Sequence, residues 1–432
     1  MVKKSMGIVI SFLIVLSGST ALYSQALQDF DFFDYTYVEN IRSIQFKGTA
    51  SQVSNFPVIQ LNKGVLQFSF DVLSDKARDY TYRVIHCDRN WHPSNLDRED
   101  YLVGFDYDLI RDYQFSHNTL VSYVHYKLPL PNSRYNFIAS GNYLLVVYDG
   151  NEYNGVPVIT RRFMVTEQAV SVGFNPKVPV RADKIRTHQE FDFFVDIKDF
   201  NIPDPRREIT AVVMQNGNWS TAIYDIKANN VIRDRLNFNF NDRIVFPGLK
   251  EFRNFDIRRL EFASQWVQSI KLHRNGTDVL LRLSEPRTYQ LYQDRPDING
   301  SFYISNRNDD VTFSDDPNLN SDYANVIFAL KMEPVSGEHR VFAIGSFSGW
   351  EALPEYELFY DRENEIYLGQ ALFKQGFYDY MYALVDDNYR MDFISLEGSH
   401  YETRNEYNVL VYYSEFAGRF DRLLSVQTFN YH

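Results

Sequence analysis

A single cysteine, Cys87, stands in 432 residues, and that scarcity excludes any disulfide within the chain. Stability therefore has to come from buried apolar cores. Long apolar runs are also missing: beyond the first residues, no stretch is long enough for a helix to cross a bilayer. Nor does an apolar stripe at helical spacing persist for three turns, so a helix bundle is excluded and residues 96–113 have room for one short helix. Glycine-rich phosphate loops, nucleophile elbows and paired metal motifs are absent, which removes the commonest enzyme signatures. Positive charge is in deficit, with 44 Lys and Arg against 56 Asp and Glu and a formal charge of -12. A nucleic-acid or anionic-surface binder needs the opposite sign.

Aromatic residues are abundant instead, 16 % of the chain with 31 Tyr and 35 Phe, which suits sheets and broad contact surfaces. The apolar pattern is that of strands. Tyr80, Tyr82, Val84 and His86 alternate with Thr81, Arg83, Ile85 and Cys87, so the two sets face opposite sides of one strand. Leu66, Phe68, Phe70 and Val72 repeat the rhythm, as do Phe191, Phe193, Val195 and Ile197. The continuous apolar run from Tyr143 to Tyr148 suits a strand covered on both faces, with Ser140, Gly141 and Asn142 turning into it.

These patterns predict an all-β chain of tandem immunoglobulin-like or early-set β-sandwich domains. Residues 1–25 read as a secretory signal, with Lys3 and Lys4 before an apolar core from Met6 to Leu16. Its removal takes the charge to -14 and addresses the chain to the periplasm. No cysteine lies near the cleavage region, so a lipid anchor has no acceptor. Residues 26–166, 167–316 and 317–432 are expected as three sandwiches, the last including the Tyr407 to Tyr413 strand.

Candidate chemistry is sparse. His86 and Cys87 face opposite ways and cannot form a base and nucleophile pair with each other. His86, Asp88, His92 and Glu99 match no compact zinc spacing, and Asp309, Asp310, Asp315 and Asp316 lack the glycine and alternating ligands of a calcium loop. No cofactor, catalytic residue or metal site is expected. Trp91 and Trp350 are the candidate partner-contact residues, each weighed against a place in the packing at the end of its sandwich.

The segments HCDRNWHPSNL, GFDYDLIRDYQFSHNT and SGNYLLVV, with FPGLKEFRNFD and EGSHYETRNEYNVLVYY further on, resemble the plug-protein family of the type IX secretion system of Bacteroidota. The resemblance implies a non-enzymatic protein at the inner face of the outer membrane. Its partner would be the translocon β-barrel, whose periplasmic opening it would close. Separately, GSFSGW and GFYDYMY resemble early-set modules that include glycan-binding domains, which makes an envelope glycan binder the alternative.

Overall fold

The computed structural model describes residues 30–49, 53, 56–151, 155–198, 200, 202–306, 316–337, 339–415 and 418–431. The signal segment 1–25 lies outside them, as do Asp309, Asp310 and Asp315. Strand outweighs helix by 49 % to 7 %, and the α-helices are single turns such as Arg98–Tyr101 and Ile394–Glu397. The first of these is the short helix allowed within residues 96–113. No helix among the described residues is long and apolar enough to cross a membrane. Residues Phe32–His432 form one compact unit, built around three large apolar cores.

The first core lies between two sheets. One orders Tyr35–Thr36, Val156–Thr166, Gly141–Asp149, Tyr80–Cys87 and Asp108–Leu109; the other orders Ile41–Gly48, Leu66–Val72, Val124–Leu130 and Asp112–Phe115. Period-two alternation decides the faces. Tyr80, Tyr82, Val84 and His86 are buried while Thr81, Arg83 and Ile85 are half-buried. The Gly141–Asp149 strand is central, paired on both edges, and buried at every position but the last, as its continuous apolar run requires. Phe68, Phe70, Tyr80, Tyr126, Tyr143 and Phe163 fill the space between the sheets. Aromatic pairs such as Phe70 on Tyr126, with centroids 5.1 Å apart, account for part of the excess of rings.

The second core also has two sheets, but one is assembled from distant parts of the chain. Ser171–Lys177, His188–Asp196, Arg235–Phe238 and Asn230–Ile232 form one face. The other orders Ile223–Ile226, Ile209–Gln215, Glu406–Tyr413 and Arg422–Asn430. This corrects the expected boundaries. Tyr407, Val409, Val411 and Tyr413 belong to the second core, paired antiparallel to Ile209–Gln215, and not to the third sandwich. Conversely, Arg253–Asp256, Val267–His273, Gly276–Leu281 and Phe302–Ile304 join the third core's sheet. The third core is thus an insertion between two strands of the second. Alternation shows which residues of a strand point inward but not which sheet receives them, and the expectation of adjacent pairing holds for only about two-thirds of consecutive strands.

Candidate functional site

The strand Tyr80–Cys87 delivers the HCDRNWHPSNL segment to the end of the first sandwich. Cys87 is buried on the face opposite His86, its Sγ 3.7 Å from the Ile85 carbonyl oxygen. Burial, then the charge of Asp88, pushes its thiol far above the ordinary range, so it carries no thiolate at neutral pH. His86 is enclosed by Tyr101, Tyr143 and Phe420. Its Nε2 lies 3.1 Å from the Ser140 carbonyl oxygen and its Nδ1 2.8 Å from Ser94 Oγ. A carbonyl only accepts, so Nε2 carries the proton and Nδ1 accepts from the serine hydroxyl. Burial lowers the imidazole to about 4, and the ring is neutral at pH 7. Gly141 permits this packing: its φ is +141°, and a Cβ there would lie 2.5 Å from His86 Nε2.

Beyond Cys87 the chain turns on Asp88, whose Oδ1 accepts from the Asn90 and His92 amides at 2.9 Å. The turn holds Trp91 at a φ of +69° and drives its ring inward. Trp91 is 2 % exposed, meets Trp219 edge-on at 4.9 Å, and lies under the Arg162 guanidinium at 4.7 Å. Arg89, next to it, bonds Asp421 at 3.2 Å and Asp225 at 3.0 Å. Asn142 donates to the Asp88 carbonyl and accepts from the Tyr412 hydroxyl at 2.8 Å. Trp219, Asp225, Tyr412 and Asp421 all lie on or beside strands of the second core's sheets. The segment is therefore a joint between the first and second cores.

A second joint, between the first and third cores, was not visible in the sequence. Asp71 accepts from His125 Nδ1 at 2.5 Å, Lys374 Nζ at 2.6 Å and the Tyr323 hydroxyl at 2.7 Å. Asp71, His125, Lys374 and Tyr323 are each at most 1 % exposed. Burial works to raise the Asp71 carboxyl, but Lys374 and His125 override it and hold it below its ordinary value. Lys374 also bonds the Asn318 carbonyl oxygen at 2.6 Å and sits 4.0 Å from the centre of the Tyr123 ring. These residue types could serve acid–base chemistry. Sealed from solvent, with the carboxylate's oxygens engaged, they hold two cores in register instead. The sequence signal was a charge placed inside apolar strands, at Asp71 in LQFSFDV and Lys374 in ALFK.

The remaining candidates are dispersed. His92 is exposed, 3.5 Å from Asp88, and Glu99 is paired with Arg98 at the surface. No group of three potential metal-ligating side chains occurs among the described residues. Asp316 caps the helix Pro317–Asn320 and pairs with Lys127 at 2.7 Å. Trp350 is half-buried at a φ of +64° and packs edge-on to Phe252 at 5.9 Å. Its ring also closes over Gly300, leaving no room for a side chain there. Of the two candidate contact residues, Trp91 offers a partner no free face and Trp350 only part of one.

No curated protein matches the chain. A solved structure does: the crystal structure of a hypothetical protein from Parabacteroides merdae ATCC 43184 superposes with a TM-score of 0.86 at 28 % sequence identity, covering 93 % of this chain and 100 % of that one. The arrangement of all three cores is therefore shared with that protein. Residues 41–167, which span the first sandwich and carry the His86 to Ser94 joint, match the type 9 secretion system plug protein 1st domain, so this chain carries a domain of the type IX secretion system plug family.

Proposed function

We propose that this protein is a non-enzymatic periplasmic plug that binds and seals the periplasmic opening of the outer-membrane type IX translocon barrel. The plug-family domain at residues 41–167 carries this reading. A pore wide enough for folded cargo leaks small solutes when idle, so its blocker needs bulk, a fixed form and a broad reversible interface. Two observations support that role. The three cores are cross-bonded into one compact unit, and the first sandwich presents a partner-ready edge. The strand Asp112–Phe115 ends its sheet and is exposed at every position. Tyr113 and Phe115 leave large apolar side chains in water, and edge strands with such residues are templates for association. A free C-terminal glycan platform has less support, because the Trp350 ring is engaged with Phe252 and Gly300.

The test is a deletion strain that still makes the barrel. It should admit large antibiotics that the wild-type outer membrane excludes, and this chain should co-purify with the barrel. Tyr113→Ser with Phe115→Ser should lower that co-purification at least tenfold without changing the melting midpoint. Wild-type permeability, together with no co-purification, would remove the reading.

A further inference from the structure

The third core holds a cavity of about 290 Å³ that shares no residue with either joint. Four arginines line it, Arg253, Arg282, Arg287 and Arg295, against one carboxylate, Glu285. Behind them Glu397, fully buried, accepts from Arg253 Nε at 2.8 Å and Arg287 Nε at 2.6 Å. Four guanidinium groups thus face two carboxylates, a local excess of positive charge in a chain of net -12. One donor is left over. Arg287 Nη2 is buried and has no hydrogen-bond partner among the described residues, and a buried donor in that state is costly unless something accepts from it. The rest of the wall is apolar or aromatic, including Trp266, Tyr380, Leu281 and Leu283, with Arg295 held 5.2 Å from the Trp266 ring.

We propose that this cavity binds a carboxylate carried on an extended acidic and aliphatic peptide segment of a partner protein. Guanidinium forks match the planar carboxylate, and Arg287 lines the cavity with an Nη2 that has no acceptor among the described residues. The volume lies at the foot of the range for small-molecule sites, room for a side chain or two and too little for an oligosaccharide. The rim argues for a continuing chain. Leu283 is half-exposed, and Tyr289 and Leu291, on either side of the lining residue Gln290, are 100 % and 86 % exposed. Such apolar side chains gain by covering a peptide's aliphatic residues. This inference is independent of the barrel, since it requires only the purified chain.

The experiment is calorimetric titration of the full mature protein with three probes. They are a capped octapeptide alternating glutamate and leucine, the same peptide with glutamine for glutamate, and free glutamate. The acidic peptide should bind saturably, at least tenfold more tightly than the glutamine peptide, and free glutamate should not displace it at equal concentration. Arg282→Gln with Arg295→Gln, two exposed positions, should weaken the acidic peptide at least tenfold while leaving the melting midpoint unchanged. Arg287→Lys, which keeps the charge but loses the fork, should weaken it as well. Equal binding of the two peptides, wild-type affinity in the double variant, or displacement by free glutamate would overturn the proposal.

Discussion

Asn in place of Asp71 keeps the side chain's shape and removes its charge from the joint between the first and third cores. Lys374 would then be left, 1 % exposed, without its bonded counter-charge, among neutral groups that include the Asn318 carbonyl and the Tyr123 and Tyr323 rings. Breaking a buried pair by removing one partner costs about 3–5 kcal/mol. An independent bound agrees: Lys374 can shed its proton, and from an ordinary pKa of 10.5 that costs about 5 kcal/mol at pH 7. Met in place of Lys374 in the same chain removes the stranded charge and should restore at least half of the loss. The pH dependence has a definite sign. Asp71 is held below its ordinary 3.8, so its contribution is present above that value and is lost as pH falls through the folded-state value. Urea unfolding of the wild type, both single variants and the double variant measures the cycle. Hydrogen exchange in Leu66–Val72 and Tyr323–Leu330 reports whether the joint itself has opened. A loss below 1 kcal/mol for Asp71→Asn, or a double variant as unstable as the two single losses added together, would refute the reasoning.

Gly141→Ala should cost about 3 kcal/mol, because it combines overpacking against His86 with a strained φ; a shifted urea midpoint with an unchanged slope would confirm it. His86, lowered from 6.5 to about 4, contributes about 3 kcal/mol that is present above pH 6.5 and lost as pH falls to 4. His86→Asn should flatten that acid limb in unfolding measured from pH 7 to pH 4. For Asp379, burial and then the charge of Asp297 raise the carboxyl to about 8, so its contribution is present at low pH and lost as pH rises through 8. Asp379→Asn retains an acceptor for the Ile298 and Gly300 amides and should be near neutral at pH 5, yet stabilising by at least about 1 kcal/mol at pH 9, read from melting midpoints.

What the sequence made legible was set by periodicity and turn chemistry. The faces of Tyr80–Cys87 and the double burial of Gly141–Asp149 follow from residues acting within one strand. The Asp88 turn was equally legible, since an Asp followed by Asn, His, Pro and Ser bonds its own backbone. Its purpose was not, because Trp219, Asp225 and Asp421 lie more than a hundred residues away in the chain. The return of Glu406–Tyr413 to the second core was hidden for the same reason: its alternation fits any half-buried sheet, and only packing selects Ile209–Gln215 as its neighbour. Asp71, His125, Tyr323 and Lys374 are scattered over three hundred positions, and each alone reads as a single polar residue in a strand.

The two joints differ in chemistry, and the difference determines how each responds to solvent. Arg89 and Asp225 have side chains 27 % and 60 % exposed, so their attraction is screened and worth about 0–1 kcal/mol. Rigidity there comes from the packing of Trp91, Trp219 and Arg162 and from the more sheltered bonds to Asp421 and between Tyr412 and Asn142. At the other joint both Asp71 and Lys374 are sealed from water, screening does not reach them, and any displacement that parts them leaves charges buried and unpaired. Apolar faces alone tolerate sliding, because burial has no direction. A buried carboxylate with three fixed donors does not. The first sandwich is therefore held to the second core by ring packing together with the Asp421 and Asn142 hydrogen bonds, and to the third by the charged Asp71 cluster. In 0.5 M salt the Asp71 joint should keep its hydrogen-exchange protection while Asp225→Ala, which removes only the exposed pair and is measured at low salt, costs no more than about 1 kcal/mol. A larger loss for Asp225→Ala, or salt-dependent opening around Asp71, would show that the roles of packing and charge have been assigned to the wrong joints.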